Sequence, residues 1–235
     1  MKHLYLSLLL ISNISFCQIN NGIIEYGLNF GTDEKLENNS VLKDYYRSAV
    51  SNAKYLTFKL SFTRDIGKFI VNESLASDET GLNMTKAFSN LKGTVFYSPE
   101  AIIYETETHF GKFVVSKPSD NWTHVNETKV IDTYQCYKAT TEYIVVNEKG
   151  TFKYPVIAWY CPKIPFSFGP NGYGGLPGMI LELQVKNVVF GATLIKLNTN
   201  ESIDLKKIDD TKVITEKEFE DIIRIKSNEM FDSKD

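Results

Sequence analysis

The sequence predicts a mainly β (α+β) fold: a curved antiparallel sheet or incomplete β-barrel, with one helix near the N-terminus and one at the C-terminus. Two observations predict it. Short apolar runs, alternating or rich in β-branched and aromatic residues, recur between residues 23 and 208 with turn signals between them. Apolar stripes at helical spacing stand out near the two ends. Many short strands bracketed by two helices bury their apolar faces most simply in one bent sheet.

The first 17 residues read as a secretory signal peptide. Met1, Lys2 and His3 make a short basic start, residues 4–14 are apolar, and Ser15 and Cys17 put small residues at positions −3 and −1 of a cut before Gln18. The apolar run is too short to span a bilayer as a helix. Lipidation of Cys17 is the competing reading, and Phe16 argues against it, because the residue before a lipidated cysteine is normally small. The expectation is a leader over residues 1–17, a single domain over 18–235, and a periplasmic or secreted location. Removing the leader takes Lys2 from the 26 basic residues and nothing from the 29 acidic ones, leaving 25 against 29 and a net charge of −4. That balance offers nucleic acid no electrostatic footprint, and no later apolar run reaches spanning length, so the chain is not transmembrane.

Residues 23–30 alternate in part and form the first strand. Val41, Leu42, Tyr45, Tyr46 and Ala49 recur at helical spacing, predicting a helix over 38–53 with one face on a sheet. Leu56, Phe58, Leu60 and Phe62 share a strand face with period two, the mark of a half-buried antiparallel strand. Strand-like runs follow at 68–73, 93–97, 101–109, 112–116 and 122–125, with a polar stretch over 74–92 that holds a short helix near 84–91. Residues 129–133 lead into a hairpin. Beyond it come runs at 179–186, 190–197 and 202–208, then a helix over 216–230 that Thr215 caps, with Glu218 completing a capping box.

Two cysteines follow the leader. Asn147-Glu148-Lys149-Gly150 is a turn signal between runs 137–146 and 151–160. With Glu148 and Lys149 at the tip, paired positions sum to 297, and Cys136 and Cys161 satisfy that sum. A three-residue turn closed by Gly150 would shift the register by one and leave them diagonal. In an oxidising compartment a Cys136–Cys161 disulfide is the expectation. The chain has no Cys-x-x-Cys motif of the kind redox enzymes use.

Between the hairpin and the next strand, residues 158–181 hold five of the 14 glycines and four of the seven prolines. Such density means a long loop of defined shape, and its aromatic residues give it the means to pack. Two readings stand side by side. Trp159, Tyr160, Phe166, Phe168, Tyr173, Leu176 and Pro177 form a binding rim, or the loop is an architectural corner that turns the chain into the sheet. For catalysis the residues offer little. Glu105, Glu107 and His109 line one strand face, and with His124 they could hold a divalent metal for hydrolysis; the plainer reading is a solvated strand face. Serine-elbow, metalloprotease and phosphate-loop motifs are missing from the sequence, and no cofactor is implied.

Gly175-Leu176-Pro177-Gly178-Met179-Ile180 resembles the motif for which the GLPGLI family of secreted Bacteroidetes proteins is named. The resemblance extends through Trp122, Tyr134 to Thr140, Ala158-Trp159-Tyr160, Ile164-Pro165 and Gly169-Pro170, and covers residues 122–183. Met179 and Cys161 depart from the pattern. The family has no established activity, so the resemblance implies an exported envelope protein, associated with outer-membrane receptor systems, and carries over no catalytic residue. Together these readings predict an exported, non-catalytic binding or interaction module whose partner is an apolar ligand, a peptide, an outer-membrane receptor or another envelope protein. The alternatives are the metal-dependent envelope hydrolase built on Glu105, Glu107, His109 and His124, and a purely structural envelope protein.

Overall fold

The alternating runs assemble into one sheet of twelve strands in the computed structural model, which describes residues 18–73, 79–147, 150–205 and 212–232. In chain order the elements are β1 (Asn21–Phe30), α1 (Glu34–Glu37), α2 (Lys43–Asn52), β2 (Leu56–Thr63), β3 (Gly67–Glu73), α3 (Glu79–Phe88), β4 (Thr94–Tyr97), β5 (Ile102–Thr108), β6 (Gly111–Lys117), β7 (Thr123–Ile131), β8 (Tyr134–Asn147), β9 (Gly150–Cys161), β10 (Met179–Val185), β11 (Val188–Leu197), β12 (Val213–Thr215) and α4 (Glu216–Asp232). The sheet runs β12-β6-β5-β4-β3-β2-β1-β11-β10-β9-β8-β7 and is not closed into a barrel. It is mixed where an antiparallel sheet was expected, because β12 lies parallel to β6. A strand that arrives by a crossover is free to run parallel, whereas a tight hairpin forces the antiparallel arrangement.

Leu56, Phe58, Leu60 and Phe62 are all fully buried, as their period-two spacing predicts. They meet β1 in the pairs Tyr26–Phe58 and Ile24–Leu60. Phe58 stacks on Phe69 at 5.3 Å and meets the Phe190 ring at 5.2 Å. Each such fully buried aromatic side chain contributes roughly 1.5–3 kcal/mol of transfer free energy, so this cluster is the energetic centre of the sheet.

Helix α2 is shorter than its apolar spacing predicts. Tyr46 and Ala49 are buried, while Val41, Leu42 and Tyr45 stay exposed, so only two of the five residues of the expected stripe dock. The Tyr46 hydroxyl donates to the Gly31 carbonyl at 2.9 Å and fastens the helix to the end of β1. At the C-terminal helix the capping box forms: Glu218 Oε2 accepts the Thr215 N–H at 2.7 Å, and Thr215 Oγ1 accepts the Glu218 N–H at 3.2 Å. Phe219 then packs its ring against Tyr104 and Phe113.

The expected strand at 122–125 and the lead-in to the hairpin at 129–133 fall in and around one strand, β7, whose register with β8 shifts between Val125 and Thr128. That bulge interrupts an exposed edge, a device that discourages edge-to-edge pairing. Residues 202–205 are not a strand, and 206–208 lie outside the described residues. So do the leader over 1–17 and the hairpin tip at Glu148 and Lys149. No helix among the described residues is long and apolar enough to cross a membrane.

Candidate functional site

The loop over 162–178 leaves β9 and returns as β10, neighbouring strands, yet its side chains touch β2, β3 and β4 on the other side of the sheet centre. Phe166 packs on Phe62 at 4.7 Å and Phe168 on Tyr97 at 5.3 Å. Phe168 also lies on Gly67, where an added Cβ would come within 3.0 Å of the ring. Contacts across so many strands require the sheet to bend around the loop. Phe166, Phe168, Tyr173 and Leu176 are accordingly buried in the core, so four residues expected at a binding rim are a plug that fills the concave side. Their apolar area is spent on the chain's own strands. Pro177 is exposed, and Trp159 is half-buried beneath the Lys129 ammonium, which stands 4.6 Å from its ring and pairs with Glu182.

The loop's backbone is held by partners from distant parts of the chain. Tyr97 Oη donates to the Gly169 carbonyl and accepts the Gly172 N–H. Asn171, at φ 52°, accepts the Lys92 N–H and donates to the Asn90 carbonyl. Trp122 Nε1 donates to the Gly174 carbonyl at 2.8 Å. Beneath Tyr173 lies a buried ion pair, Lys117 with Asp120 at 2.5 Å, and Asp120 also accepts the Gly174 N–H. Burial raises the Asp120 carboxyl above its ordinary range, against the pull of Lys117. A second pair, Lys92 with Glu216, ties the same region to α4. Of these supports the sequence reading named Trp122 alone, as part of the family resemblance and not as a partner of the loop. The Lys117-Pro118-Ser119-Asp120 turn was a readable signal for the first pair; Lys92 and Glu216 are too far apart in the chain to be read together.

Among the described residues Gln135, Tyr137, Tyr160, Pro162 and Lys163 line a cleft of about 220 Å³. Tyr137 and Tyr160 are register partners on β8 and β9, with ring centroids 6.1 Å apart at 39°. Their face continues through the pairs Ala139–Ala158, Ala158–Leu183 and Leu183–Phe190 into the core, so the cleft lies on the inner side of the sheet near the β7 edge. His124 reaches it from β7, with Nδ1 3.1 Å from Tyr160 Oη. Burial, and then the neighbouring Tyr137, push the Tyr160 phenol above its usual value and keep it neutral. Of the seven residues expected to bind, Tyr160 alone lines this cleft.

Cys136 and Cys161 alternate with these tyrosines and so point to the opposite face. The hairpin register is the one the sum of 297 predicts, from Asn147–Gly150 to Tyr137–Tyr160. The expected bridge is not formed in the structure. Both residues are free thiols and fully buried, and the Cys136 S–H donates to the Tyr134 carbonyl at 3.6 Å.

The metal set does not converge. Glu105 pairs with Lys112 at 2.9 Å, Glu107 is exposed, and His109 lies past the end of β5 in a turn, its ring against Phe110. His124 belongs to the strand at the opposite edge of the sheet. Among the described residues no three or more His, Cys, Asp or Glu are grouped so as to hold a metal ion. One strand face supplies ligands along a line, and a metal needs them from several directions.

A family model described as a protein of unknown function (Porph_ging) matches residues 146–182, which is the second hairpin arm, the loop and the start of β10. The match overlaps the stretch that carries the GLPGLI resemblance and does not itself bear that family's name. No curated protein matches. Among solved structures the chain is similar to PNGF-II in a C2 space group, with 14% identity, a TM-score of 0.52, and coverage of 87% of this chain and 32% of that one. The same protein in a P21 space group gives 12% identity, a TM-score of 0.50, and coverage of 87% and 33%. The chain thus spans about a third of the length of the solved structures it matches.

Proposed function

We propose that the protein is an exported binding module of the bacterial cell envelope that engages a protein partner, such as an outer-membrane receptor, through the cleft of Gln135, Tyr137, Tyr160, Pro162 and Lys163. One observation supports this reading above the others. Lys163, an exposed residue, lines the cleft together with two phenol rings and has no ion-pair partner among the described residues. A cation at the rim of a cleft lined by rings suits a carboxylate carried on an apolar stem, as on the last residue of a peptide. At about 220 Å³ the cleft falls below the roughly 300–1,000 Å³ of sites that enclose a whole small molecule, and it suits a single side chain. The concave space that an apolar ligand would need is filled by Phe166, Phe168 and Leu176. Similarity in fold to a third of a longer chain also favours a module, because that architecture can stand beside further domains.

NMR titration of the purified protein with N-acetylphenylalanine, as the free carboxylate and as its amide, tests the reading. The carboxylate should shift the Tyr137, Tyr160 and Lys163 signals saturably and bind about tenfold more tightly than the amide. Lys163→Met should erase the difference. Shifts that avoid these residues, or that are equal for the two probes, would sink the proposal.

A further inference from the structure

Tyr160, a wall of the cleft, shares its hydroxyl with His124 Nδ1 on β7, 3.1 Å away. The two rings meet edge to face, with centroids 5.7 Å apart at 68°. Neither side chain makes another hydrogen bond among the described residues. A phenol has a single hydrogen to give and is neutral throughout the pH range in which an imidazole titrates. Where that hydrogen goes is therefore set by the imidazole. A neutral ring with its proton on Nε2 accepts at Nδ1 and takes the phenol hydrogen, whereas an imidazolium donates from Nδ1 and leaves the phenol hydrogen free. His124 is exposed and Tyr160 buried, so the ring exchanges protons with solvent while the phenol responds inside. Few other groups act on the ring. On β8, Ala139 lies opposite it and Tyr137 further along the same face, and the loop start adds the Lys163 ammonium at the cleft. Glu127 pairs with Lys138, and Glu182 with Lys129, both on the opposite face of the sheet. β7 ends the sheet, and among the described residues no carboxylate pairs with His124.

We propose that His124 and Tyr160 complete the carboxylate site of the cleft, the imidazole proton deciding whether Tyr160 offers the ligand a donor or an acceptor. This rests on the carboxylate reading of Lys163 given above. With His124 protonated, Nδ1–H donates to Tyr160 Oη and the phenol O–H turns to the ligand carboxylate, which then has a second donor besides Lys163. With His124 neutral, the phenol hydrogen goes to Nδ1, and the oxygen lone pairs left toward the cleft repel a carboxylate. A carboxamide both donates and accepts, so it suits either state. The partner is a free chain terminus that is held more tightly in acidic surroundings and released as the imidazole loses its proton. By linkage, a bound carboxylate in turn holds the proton on His124.

The test is NMR of the purified protein with its tyrosine and histidine rings isotopically labelled. Without ligand, the Tyr160 and His124 signals should move with one midpoint between about pH 8 and about pH 5.5, and Tyr160 should stop moving in His124→Gln. A Tyr160 signal that ignores the His124 titration would overturn the proposal, whatever binds. N-acetylphenylalanine, whose carboxylate stays ionised over this range, should bind about fivefold more tightly at the lower pH, and its amide equally at both. The bound carboxylate should raise the His124 midpoint by about 0.7 of a pH unit, which is the same fivefold read from the proton's side. Tyr160→Phe keeps the imidazole and should lose most of the gain; a full gain there would show that charge alone acts and overturn the role of the phenol hydrogen. A carboxylate preference that is equal at both pH values would overturn this pair and leave the Lys163 reading standing. No saturable binding at either pH would overturn both.

Discussion

The Tyr97 hydroxyl donates to the Gly169 carbonyl at 2.5 Å and accepts the Gly172 N–H at 3.0 Å, so one buried side chain on β4 holds both flanks of a turn that belongs to another part of the sheet. Burial keeps this phenol protonated far above neutral pH, and its proton is always present to donate. Removing the hydroxyl leaves a buried carbonyl and a buried amide without their partner, which costs about 1–3 kcal/mol for each group that finds no substitute. Tyr97→Phe should therefore lower the urea midpoint by the equivalent of roughly 2–4 kcal/mol with an unchanged slope. A midpoint shift of a few tenths would show that water or a shifted loop replaces the bond.

Gly178 and Gly175 both have positive φ, at 155° and 83°, but their surroundings differ. A Cβ on Gly178 would lie 2.4 Å from the Cys161 carbonyl oxygen and 2.7 Å from the Pro162 nitrogen, both backbone atoms that cannot swing aside. A Cβ on Gly175 would meet nothing within 4 Å. Gly175→Ala should cost only the left-handed backbone strain, about 1–2 kcal/mol. Gly178→Ala should cost more than that, since β9 and β10 must separate where the loop closes. Thermal unfolding of the two variants decides the point, and an equal loss in both would contradict it.

Asp120 is the buried acid whose titration should be visible in stability. Its folded-state pKa is raised, first by burial, above the unfolded value near 3.8. The folded state therefore holds this proton more tightly, and the contribution is full below the unfolded value and lost as pH rises through the folded one. Asp120→Ala removes that contribution and strands the Lys117 ammonium, at roughly 3–5 kcal/mol near neutral pH. The deficit relative to the natural chain should widen as pH is lowered toward 3. Urea unfolding measured from pH 3 to 7 gives the trend, and a deficit that narrows on acidification would contradict the assignment.

Much of this architecture could be read before it was seen, where the signal was local. The 297 register needed only a turn signal and two alternating runs, and the pairs Tyr143–Tyr154 and Asn147–Gly150 follow it. The β2 face and the Thr215–Glu218 box were equally local, resting on period two and on a spacing of three. The direction of the loop aromatics was not. Phe166 and Phe168 have the same sequence surroundings whether they face solvent or core, and the choice is made by Phe62, Gly67 and Tyr97, about 70 to 100 residues earlier. The Lys163 cleft escaped for a different reason: the same register sets Tyr137 beside Tyr160, but it does not show which stretch of the strand face is left uncovered by the loop. Strand β12, three residues long and parallel to β6, carries no pattern that a sequence could display.

The position of β1 sets the order in which the molecule can become complete. This first strand is flanked on one side by β2, nearby in sequence, and on the other by β11, so that Gly22 faces both Phe62 and Leu197. A chain that emerges N-terminus first can lay β2 on β1 early, but the other edge of β1 stays unpaired until nearly the whole sequence has arrived. Closing a sheet through contacts this distant in sequence is slow, and the waiting edge is a template for wrong partners. The molecule should then fold late and cooperatively, with β11 as the step that commits it, and should depend on assistance while that edge is open.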